Sequence, residues 1–502
     1  MDQSSKTKQF YIDVIPALLL FLSLALHVGW MLYTKYIEED AFITFRIARQ
    51  IAMGNGFTYN SGEPLYASTT PLLTLLLSAW IRLISTDVVL GARVINLLAV
   101  ALTLVFSLLI LRSQKRTPAE QIGALTVGMF SARLIYMETQ GMEMPLGLAL
   151  LAASLYFWGK GRAILTGILC GLLLWVRIDF IFWVLILSVF TAIPNWKDAL
   201  RIAGMALLVY LPWVLFASMY FGSPVPFTVT AKWVAYTQFD LSPYTFHLKD
   251  ILEYLSPFRA DGFAEFLGTG IAALLIVAAL WGRRFADQKA FILLVVFVLF
   301  EIARLTITRA TYFSRYFVPI AWIVLLLSGV GLGDLWNMFR SRKLYRLLFQ
   351  VFAVGLIALQ VHSGIVFAQE VRDRQMYRHD GALKAMGLWL KENTDPASIV
   401  LLEPLGYVGY YSERTMLDEV GLVTPAVVEL KRQRIGAEQY AEIFQPDYLI
   451  VHCDDTIRIP LPGETKLLYE LTVTFDPLEY KRSSSNSSDQ PWLACYEIWA
   501  KQ

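Results

Sequence analysis

Three consecutive acidic residues, Glu38, Glu39 and Asp40, follow the first long apolar run of the sequence. Apolar residues then recur at helical spacing through residues 41–52, which predicts a short amphipathic helix that begins next to Asp40. A carboxylate at a helix start accepts hydrogen bonds from the first backbone N–H groups, and this is one interpretation of Asp40. The other is chemical, because a positioned carboxylate can accept a proton from a reacting hydroxyl group.

Several other ionisable residues stand at the ends of later apolar runs. They are Glu143, Arg177, Asp179, Lys232, Arg304, Arg309 and Arg315. Ionisable residues beside membrane spans are costly and usually mark a functional site. Two alternatives stay open. Arg177 and Asp179 can form a structural ion pair, and the arginines at 304 and 309 can extend their side chains towards water.

Carboxylates that face several cations at a lipid–water boundary suit one kind of chemistry. Arg and Lys side chains can hold the phosphate of a lipid-linked donor, while an acidic residue takes the proton of an attacking hydroxyl. Because a phosphate stabilised in this way can leave directly, no second nucleophile is needed. The predicted reaction is a single displacement that inverts the configuration at a sugar carbon.

The composition is that of a membrane protein. Of the 502 residues, 56% are hydrophobic and only 17% are charged, and the mean hydropathy is +0.51, which is far outside the range of soluble domains. The 43 basic and 41 acidic residues nearly balance, so the net charge gives no argument for nucleic-acid binding.

Apolar runs of near-spanning length predict about eleven transmembrane helices. The runs are 14–34, 90–111, 120–137, 143–158, 163–178, 180–194, 201–221, 264–281, 289–305, 314–333 and 346–368. With a cytoplasmic N-terminus every predicted cytoplasmic connection is basic, as in "RSQKR" at 112–116 and "FRSRKLYR" at 339–346. This topology makes residues 71–85 an interfacial helix and places residues 35–89 and 222–263 in outer loops.

An odd number of spans places residues 369–502 outside the membrane, after a transmembrane domain at 1–368. Charged residues are more frequent there. The segments "SIVLLEP", "DYLIVH", "LLYELTVTF" and "WLACYEIWA" predict strands, and "GALKAMGLWLKEN" and "AEQYAEIF" predict helices between them. The predicted fold class is therefore a polytopic α-helical membrane protein with a C-terminal extracytoplasmic α/β domain. Cys453 and Cys495 both lie in this domain and can pair, whereas Cys170 lies in an apolar run.

The first outer loop, "EEDAFITFRIARQIAMGNGFTYNSGEPLYASTTPLLTLLLSAW", resembles that of the GT-C glycosyltransferases. The sequence is most similar to the family of the mycobacterial terminal arabinofuranosyltransferase, and more distantly to the aminoarabinose transferase of lipid A and the protein O-mannosyltransferases. Later segments that resemble this family are "GMEMPL" at 141–146, "VRID" at 176–179, "FGSPVPFTVTAK" at 221–232, "SRYFVP" at 314–319 and "GYVGYYSERTMLDEVGLV" at 406–423. The resemblance covers nearly the whole chain and implies a GT-C fold.

The resemblance also implies a polyprenyl-phosphate sugar donor and inverting transfer to a glycan or lipid acceptor on the outer face of a bacterial inner membrane. Carried onto this sequence, the catalytic acidic pair is Glu39 and Asp40, with Asp40 as the base and Glu39 orienting the acceptor. Relatives often have Asp at both positions, so the longer side chain of Glu39 leaves this division of roles open. The predicted substrate contacts are Glu143, Arg177, Asp179, Lys232, Arg315 and Tyr316, of which the last three would meet the donor phosphate and head group.

Other functions stay open at this stage. A lipid or glycolipid transporter could use the same basic outer pocket for a head group, and an enzyme of the same fold could glycosylate protein Ser or Thr residues. A divalent cation could bind the acidic pair together with Glu38, although a phosphate donor flanked by Arg and Lys needs no metal.

Overall fold

The computed structural model describes residues 3–62, 64–237, 256, 263–281, 288–308, 313–453, 468–476 and 495–502. The first α-helices of this part are α1 (Gln3–Thr34), α2 (Ala41–Ala52), α3 (Pro71–Leu83), α4 (Val88–Ser113), α5 (Pro118–Met129), α6 (Ala132–Glu138), α7 (Met144–Gly159), α8 (Ala163–Val176), α9 (Ile181–Ala192) and α10 (Trp196–Phe221). They are followed by α11 (Phe227–Thr237), α12 (Phe263–Leu280), α13 (Lys289–Thr308), α14 (Val318–Phe339), α15 (Lys343–Asp373), α16 (Ala385–Asn393), α17 (Leu405–Ser412), α18 (Pro425–Arg432) and α19 (Tyr440–Phe444). The strands are β1 (Ile399–Leu402), β2 (Thr415–Asp418), β3 (Tyr448–His452), β4 (Tyr469–Phe475) and β5 (Tyr496–Lys501).

Each apolar run of the sequence overlaps a helix of the structure. Six described segments are long and apolar enough to cross a membrane: Val14–Thr34, Val88–Ser113, Trp196–Phe221, Lys289–Ile307, Ser314–Phe339 and Lys343–Asn393. Shorter apolar helices fill most of the other predicted positions, and the run at 120–137 is divided into α5 and α6. The prediction of a polytopic helical membrane protein is confirmed, while the number of spans stays a prediction.

The chain folds as two compact units. The bundle unit consists of Met1–Tyr33, Arg93–Pro212 and Tyr244–Gln369. The loop–sheet unit consists of Thr34–Ala92, Trp213–Pro243 and Glu370–Gln502, so it joins the first outer loop to the C-terminal part of the chain. The sequence divided the chain at 368/369 instead, and that domain boundary stays a prediction.

Close packing of α5 against α14 forms the centre of the bundle unit. Gly123 on α5 and Gly329 and Gly333 on α14 bring the two backbones together, because a side chain at any of them would overlap the facing main chain. Small residues at such a crossing let membrane helices pack closely without polar groups. Residues 318–327 of α14 are buried throughout, so this helix is the core of the bundle unit.

The loop–sheet unit contains a mixed five-stranded sheet in the order β2-β1-β3-β5-β4. β1 is parallel to β2 and β3, and β5 is antiparallel to β3 and β4. Buried Leu401, Tyr440 and Tyr469 belong to its core. A disulfide joins Cys453 after β3 to Cys495 before β5, as the sequence suggested.

The predicted C-terminal α/β fold is confirmed, and all four predicted strands form. Three elements were not predicted from the sequence, β2, α17 and α18, which occupy the segment between β1 and β3. Here β1, α17 and β2 form a crossover that connects two parallel strands. The Asn486 sequon and the segment "RSSSNSSDQP" lie outside the described residues.

Candidate active site

Asp40 lies at the start of α2, as the sequence predicted, but it does not act as a side-chain cap. It is the N-cap residue with helical backbone angles, φ −58° and ψ −24°, and its side chain makes no capping hydrogen bond. Only its main-chain carbonyl joins the helix, accepting from the Ile43 amide at 3.2 Å. The half-buried carboxylate is therefore not used to satisfy the helix start.

Glu39 is held from the C-terminal part of the loop–sheet unit. Its carboxylate Oε1 accepts a hydrogen bond from the Gly406 amide, in the first turn of α17. A side chain at 406 would overlap the Glu39 carbonyl oxygen and lie against Oε1, so only glycine permits this approach. The amide and the helix dipole both favour a carboxylate here.

Burial nevertheless raises the pKa of Glu39 well above its usual value, and the neighbouring Asp40 carboxylate raises it further. The Gly406 hydrogen bond acts in the opposite direction but is the smaller effect. Two adjacent carboxylates whose environments differ tend to share one proton. Of the two, Glu39 is the residue whose surroundings favour the protonated form.

Arg46 fixes α2 in this position. Its guanidinium donates to three main-chain carbonyls, those of Tyr59 at 2.9 Å, Gly409 at 2.6 Å and Arg414 at 2.7 Å. It also lies 4.3 Å above the centre of the Tyr59 ring and is only 3% exposed. A buried cation whose donors are used in this way is a structural anchor, not a substrate ligand.

The turn "GNGFTYN" after α2 adds further contacts within the same unit. Asn60 extends the edge of β2, because its side-chain amide donates to the Met416 carbonyl at 2.9 Å and accepts from the Met416 amide at 3.0 Å. The Tyr59 hydroxyl donates to the Leu405 carbonyl at 2.8 Å. This turn ends α2, with Gly54 and Gly56 both at φ +85°. Contacts with α17 and β2 therefore hold the loop that carries the acidic pair.

Lys232 lies on α11, which also belongs to the loop–sheet unit. Ala231 and Val234 of this helix pack against Val428 of α18, and Lys232 itself is half-buried. The outer segment that the sequence placed at 222–263 therefore contributes a helix packed on the C-terminal fold. Residues 238–255 and 257–262 of this segment, with His247 among them, lie outside the described residues.

Glu143, Arg177 and Asp179 come together in the bundle unit. Arg177 Nη1 donates to Glu143 Oε1 at 2.8 Å. Its Nε and Nη2 donate to Asp179 at 3.0 Å each, and its guanidinium lies 5.2 Å from the centre of the Tyr316 ring. Arg177 ends α8 in an extended conformation, φ −158° and ψ 135°, which separates α8 from the next apolar helix. The ion pair considered from the sequence is present and includes a second acid, Glu143.

A small cavity of about 20 Å³ adjoins this cluster and is lined by Asp179, Arg315 and Tyr316. Glu301 and Arg304 also line it and pair with each other at 2.6 Å. The sequence analysis did not select Glu301, because a single acid in an apolar run gives no pattern. Arg309 lies outside the described residues. The structure thus places Glu143, Arg177, Asp179, Arg315 and Tyr316 in the bundle unit.

Glu39, Asp40 and Lys232 belong to the loop–sheet unit. Within the described ranges, no group of three or more His, Cys, Asp or Glu side chains is arranged to hold a metal ion. The possible divalent cation at the acidic pair therefore gains no support from a formed ligand set.

Known structures share this fold. The chain matches ArnT from Cupriavidus metallidurans bound to undecaprenyl phosphate with a TM-score of 0.62 and 12% identity, over 95% of this chain and 97% of that chain. The apo state of the same protein matches equally well, with a TM-score of 0.62. Arabinofuranosyltransferase AftD from mycobacteria matches with a TM-score of 0.57 and 14% identity, over 96% of this chain but only 40% of AftD.

The C-terminal part also matches a sequence family. Residues 369–496 match the model of a domain of unknown function, DUF8728. A search of curated protein sequences finds no significant match. The chain therefore shares its fold with ArnT and AftD, as the resemblance predicted.

Proposed function

We propose that this chain is an inverting glycosyltransferase that moves a sugar from a polyprenyl-phosphate carrier to a glycan or lipid acceptor on the outer face of a bacterial inner membrane. The observation that carries the proposal is the acidic pair. Asp40 stands at a helix start that its side chain does not cap, and Glu39 is held beside it by the Gly406 amide. The fold shared with ArnT and AftD is consistent with this chemistry.

In the proposed reaction an acceptor hydroxyl attacks the anomeric carbon of the donor sugar. A new C–O bond forms as the bond to the carrier phosphate breaks, and the configuration at that carbon inverts. Asp40 takes the hydroxyl proton, and the electron pair of the broken bond leaves on the polyprenyl phosphate. Glu39, which keeps a proton, orients the acceptor by hydrogen bonding.

The other predicted contacts take the remaining roles. We assign the donor phosphate and head group to Lys232, Arg315 and Tyr316. Because the donors of Arg177 are used by Glu143 and Asp179, this arginine is better suited to holding those carboxylates in place than to binding phosphate. Glu143 and Asp179 can then accept hydrogen bonds from sugar hydroxyls.

Asp40→Asn tests the proposal most directly. We expect the rate of sugar transfer from a labelled polyprenyl-phosphate donor to fall by about 10²–10⁴-fold, the usual contribution of a general base. The melting temperature in detergent should stay close to that of the wild type, since no side-chain capping bond is lost.

Asp87→Ala is the matched control. Asp87 does cap its helix, accepting from the Leu90 amide at 2.9 Å, so this variant should lose about 0.5–2 kcal/mol of stability while retaining transfer. A stable Asp40→Asn protein with wild-type transfer would contradict the proposal.

Proteoliposomes separate the enzyme from the transporter. Release of labelled sugar from the carrier, with free polyprenyl phosphate as the second product, supports transfer. Movement of intact carrier between leaflets without sugar release would instead favour a lipid or glycolipid transporter. Mass spectrometry of the labelled acceptor distinguishes a glycan or lipid acceptor from a protein Ser or Thr residue.

A further inference from the structure

A large groove lies in the bundle unit, between α5, the C-terminal half of α14 and the N-terminal half of α15. Its volume is about 1000 Å³, at the upper end of ligand pockets, which span roughly 300–1,000 Å³. The walls are mainly apolar. Their larger side chains are Ile122, Leu332, Trp336, Phe349 and Ile357.

The second half of α15 is attached to α5 and α6. There the Gln360 side chain donates to the Val127 carbonyl at 3.2 Å, and the Phe367 ring packs 5.0 Å from that of Tyr136. In the first half, large apolar side chains such as Leu347 and Val351 are exposed. The groove is therefore bordered by an apolar surface that bilayer lipid would cover.

One end of the groove is strongly basic. Arg340 lines it, and Arg342, Lys343 and Arg346 follow within six residues, all exposed. The sequence has no acidic residue between Asp334 and Glu370. Glu120 on α5 and Asp334 on α14 both face Arg116. The Arg116 Nη1 atom lies 3.1 Å from Glu120 Oε1 and 3.9 Å from Asp334 Oδ2. Within the part of the chain that the structure describes, these two carboxylates therefore do not compensate the basic cluster.

The groove is separate from the candidate active site. The cavity beside Asp179 and Tyr316 adjoins the first residues of α14, whereas the groove adjoins residues 332–340 at the other end of that helix. A helix of 22 residues is about 33 Å long at 1.5 Å per residue. On the predicted topology this basic end faces the cytoplasm.

We propose that the groove binds an anionic glycerophospholipid of the inner leaflet. Its acyl chains would lie against Trp336, Phe349 and Ala353, and its phosphate would meet Arg340 and the neighbouring cations. Basic clusters immediately beside a membrane span attract anionic lipid, and an open-sided apolar groove next to such a cluster accommodates the chains of the same molecule. The proposal does not depend on the proposed transferase activity.

Native mass spectrometry of the full-length protein tests this. After delipidation, the protein is mixed with equal amounts of phosphatidylglycerol and phosphatidylcholine that carry identical acyl chains. We expect about a tenfold excess of bound phosphatidylglycerol. Combined Arg340→Gln, Arg342→Gln, Lys343→Gln and Arg346→Gln substitutions should abolish the preference.

Two further variants locate the site. Lys160→Gln with Arg162→Gln removes two cations from another predicted cytoplasmic loop and should leave the preference unchanged. Ala353→Trp fills the groove from the half-buried face of α15 and should lower total lipid retention without changing net charge.

Equal retention of the two lipids by the wild-type protein would overturn the proposal, and that measurement requires no variant to fold. If both the fourfold variant and Ala353→Trp bound phosphatidylglycerol as the wild type does, the lipid would not bind in this groove. Displacement of phosphatidylglycerol by an equal amount of polyprenyl phosphate would show that the groove is a carrier site instead.

Discussion

Glu39 and Asp40 are adjacent in the sequence, but the structure gives them different surroundings. Burial and the neighbouring Asp40 carboxylate raise the pKa of Glu39, although its hydrogen bond to the Gly406 amide of α17 acts in the opposite direction. Asp40 stands at a helix start without a side-chain capping bond. A carboxyl whose surroundings favour its protonated form, next to a carboxylate that can accept a proton, is the arrangement that an acid–base pair needs. This supports Asp40 as the proposed base.

The raised pKa of Glu39 predicts a specific pH dependence of stability. Between the ordinary glutamate pKa of 4.5 and the higher pKa of Glu39 in the folded state, the folded protein holds more protons than the unfolded chain. The free energy of unfolding should therefore fall as pH rises through this window. Glu39→Gln, which cannot ionise, should remove that fall.

The measurement is the melting temperature in detergent from about pH 4.5 upwards. The difference between Glu39→Gln and the wild type should grow in favour of the variant as pH rises. Glu392→Gln removes an exposed carboxylate on α16 and should follow the wild-type curve. Parallel curves for Glu39→Gln and the wild type would show that Glu39 ionises normally in the folded protein.

Arg46 is the residue on which the position of α2 depends most. Lysine at this position keeps the charge, but it lacks the planar guanidinium that lets arginine donate hydrogen bonds to all three carbonyls. Arg46→Lys should therefore cost about 1–3 kcal/mol for each buried carbonyl left unpaired. Arg49→Lys is the matched control, because half-buried Arg49 pairs with exposed Glu413 and donates to one main-chain carbonyl, that of Tyr410 at 2.8 Å, instead of three. Chemical denaturation measures the free energy of unfolding of both variants. Equal losses of stability would argue against Arg46 as the anchor of α2.

The sequence alone could not reveal this role of Arg46. Its partners Gly409 and Arg414 lie more than 360 residues away along the chain, and main-chain acceptors leave no mark on residue type. The acidic pair was predictable because adjacent charges beside an apolar run are unusual. Glu301 was not, since it is a single acid in an apolar run, and Asn60 was not, since its partner Met416 lies 356 residues away along the chain.

At the scale of elements, α17 connects the C-terminal fold to the acidic pair. Gly406 faces Glu39, and Gly409, one turn later, faces Tyr59 and Arg46. Alanine normally favours a helix by about 0.8–1.0 kcal/mol over glycine. Here the added methyl group would overlap the first outer loop.

Gly406→Ala should therefore destabilise the protein by about 1–3 kcal/mol, the usual cost of overpacking, and should lower transfer by displacing Glu39. Gly204→Ala on α10 has open space around the new methyl group and should be neutral or stabilising. Thermal unfolding and the transfer assay are measured on both. A Gly406→Ala protein at least as stable as Gly204→Ala would contradict the close contact.

The sequence predicted long elements better than short ones. Apolar runs near the length of a bilayer leave little choice of structure, so each overlapped a helix. β2 has only four residues, "TMLD", and α17 is the tyrosine-rich "LGYVGYYS". Neither segment shows a clear hydrophobic period, because packing against other elements determines the structure of both.

At the scale of the whole molecule, the most important question is which side of the membrane each part of the chain faces. Disulfides persist in oxidising compartments, so the Cys453–Cys495 bond supports the extracytoplasmic placement that the basic loops predicted. The compact unit that contains this bond also contains the acidic pair. The proposed chemistry and the disulfide should then lie on the same side of the membrane.

Cysteine labelling tests this sidedness. Lys35→Cys adds a thiol at an exposed position beside the acidic pair, and Ser341→Cys adds one at an exposed position in the basic connection before α15. An impermeant maleimide should label Lys35→Cys in intact spheroplasts and should label Ser341→Cys only after permeabilisation. Buried Cys170 should stay unlabelled.

The native disulfide gives an independent readout in the same cells. An impermeant reductant should expose Cys453 and Cys495 to the maleimide without permeabilisation if the sheet is extracytoplasmic. Labelling of Ser341→Cys in intact spheroplasts, together with protection of Lys35→Cys, would reverse the topology. In that case the acidic pair would face the cytoplasm, and transfer on the outer face could not use Asp40 as its base.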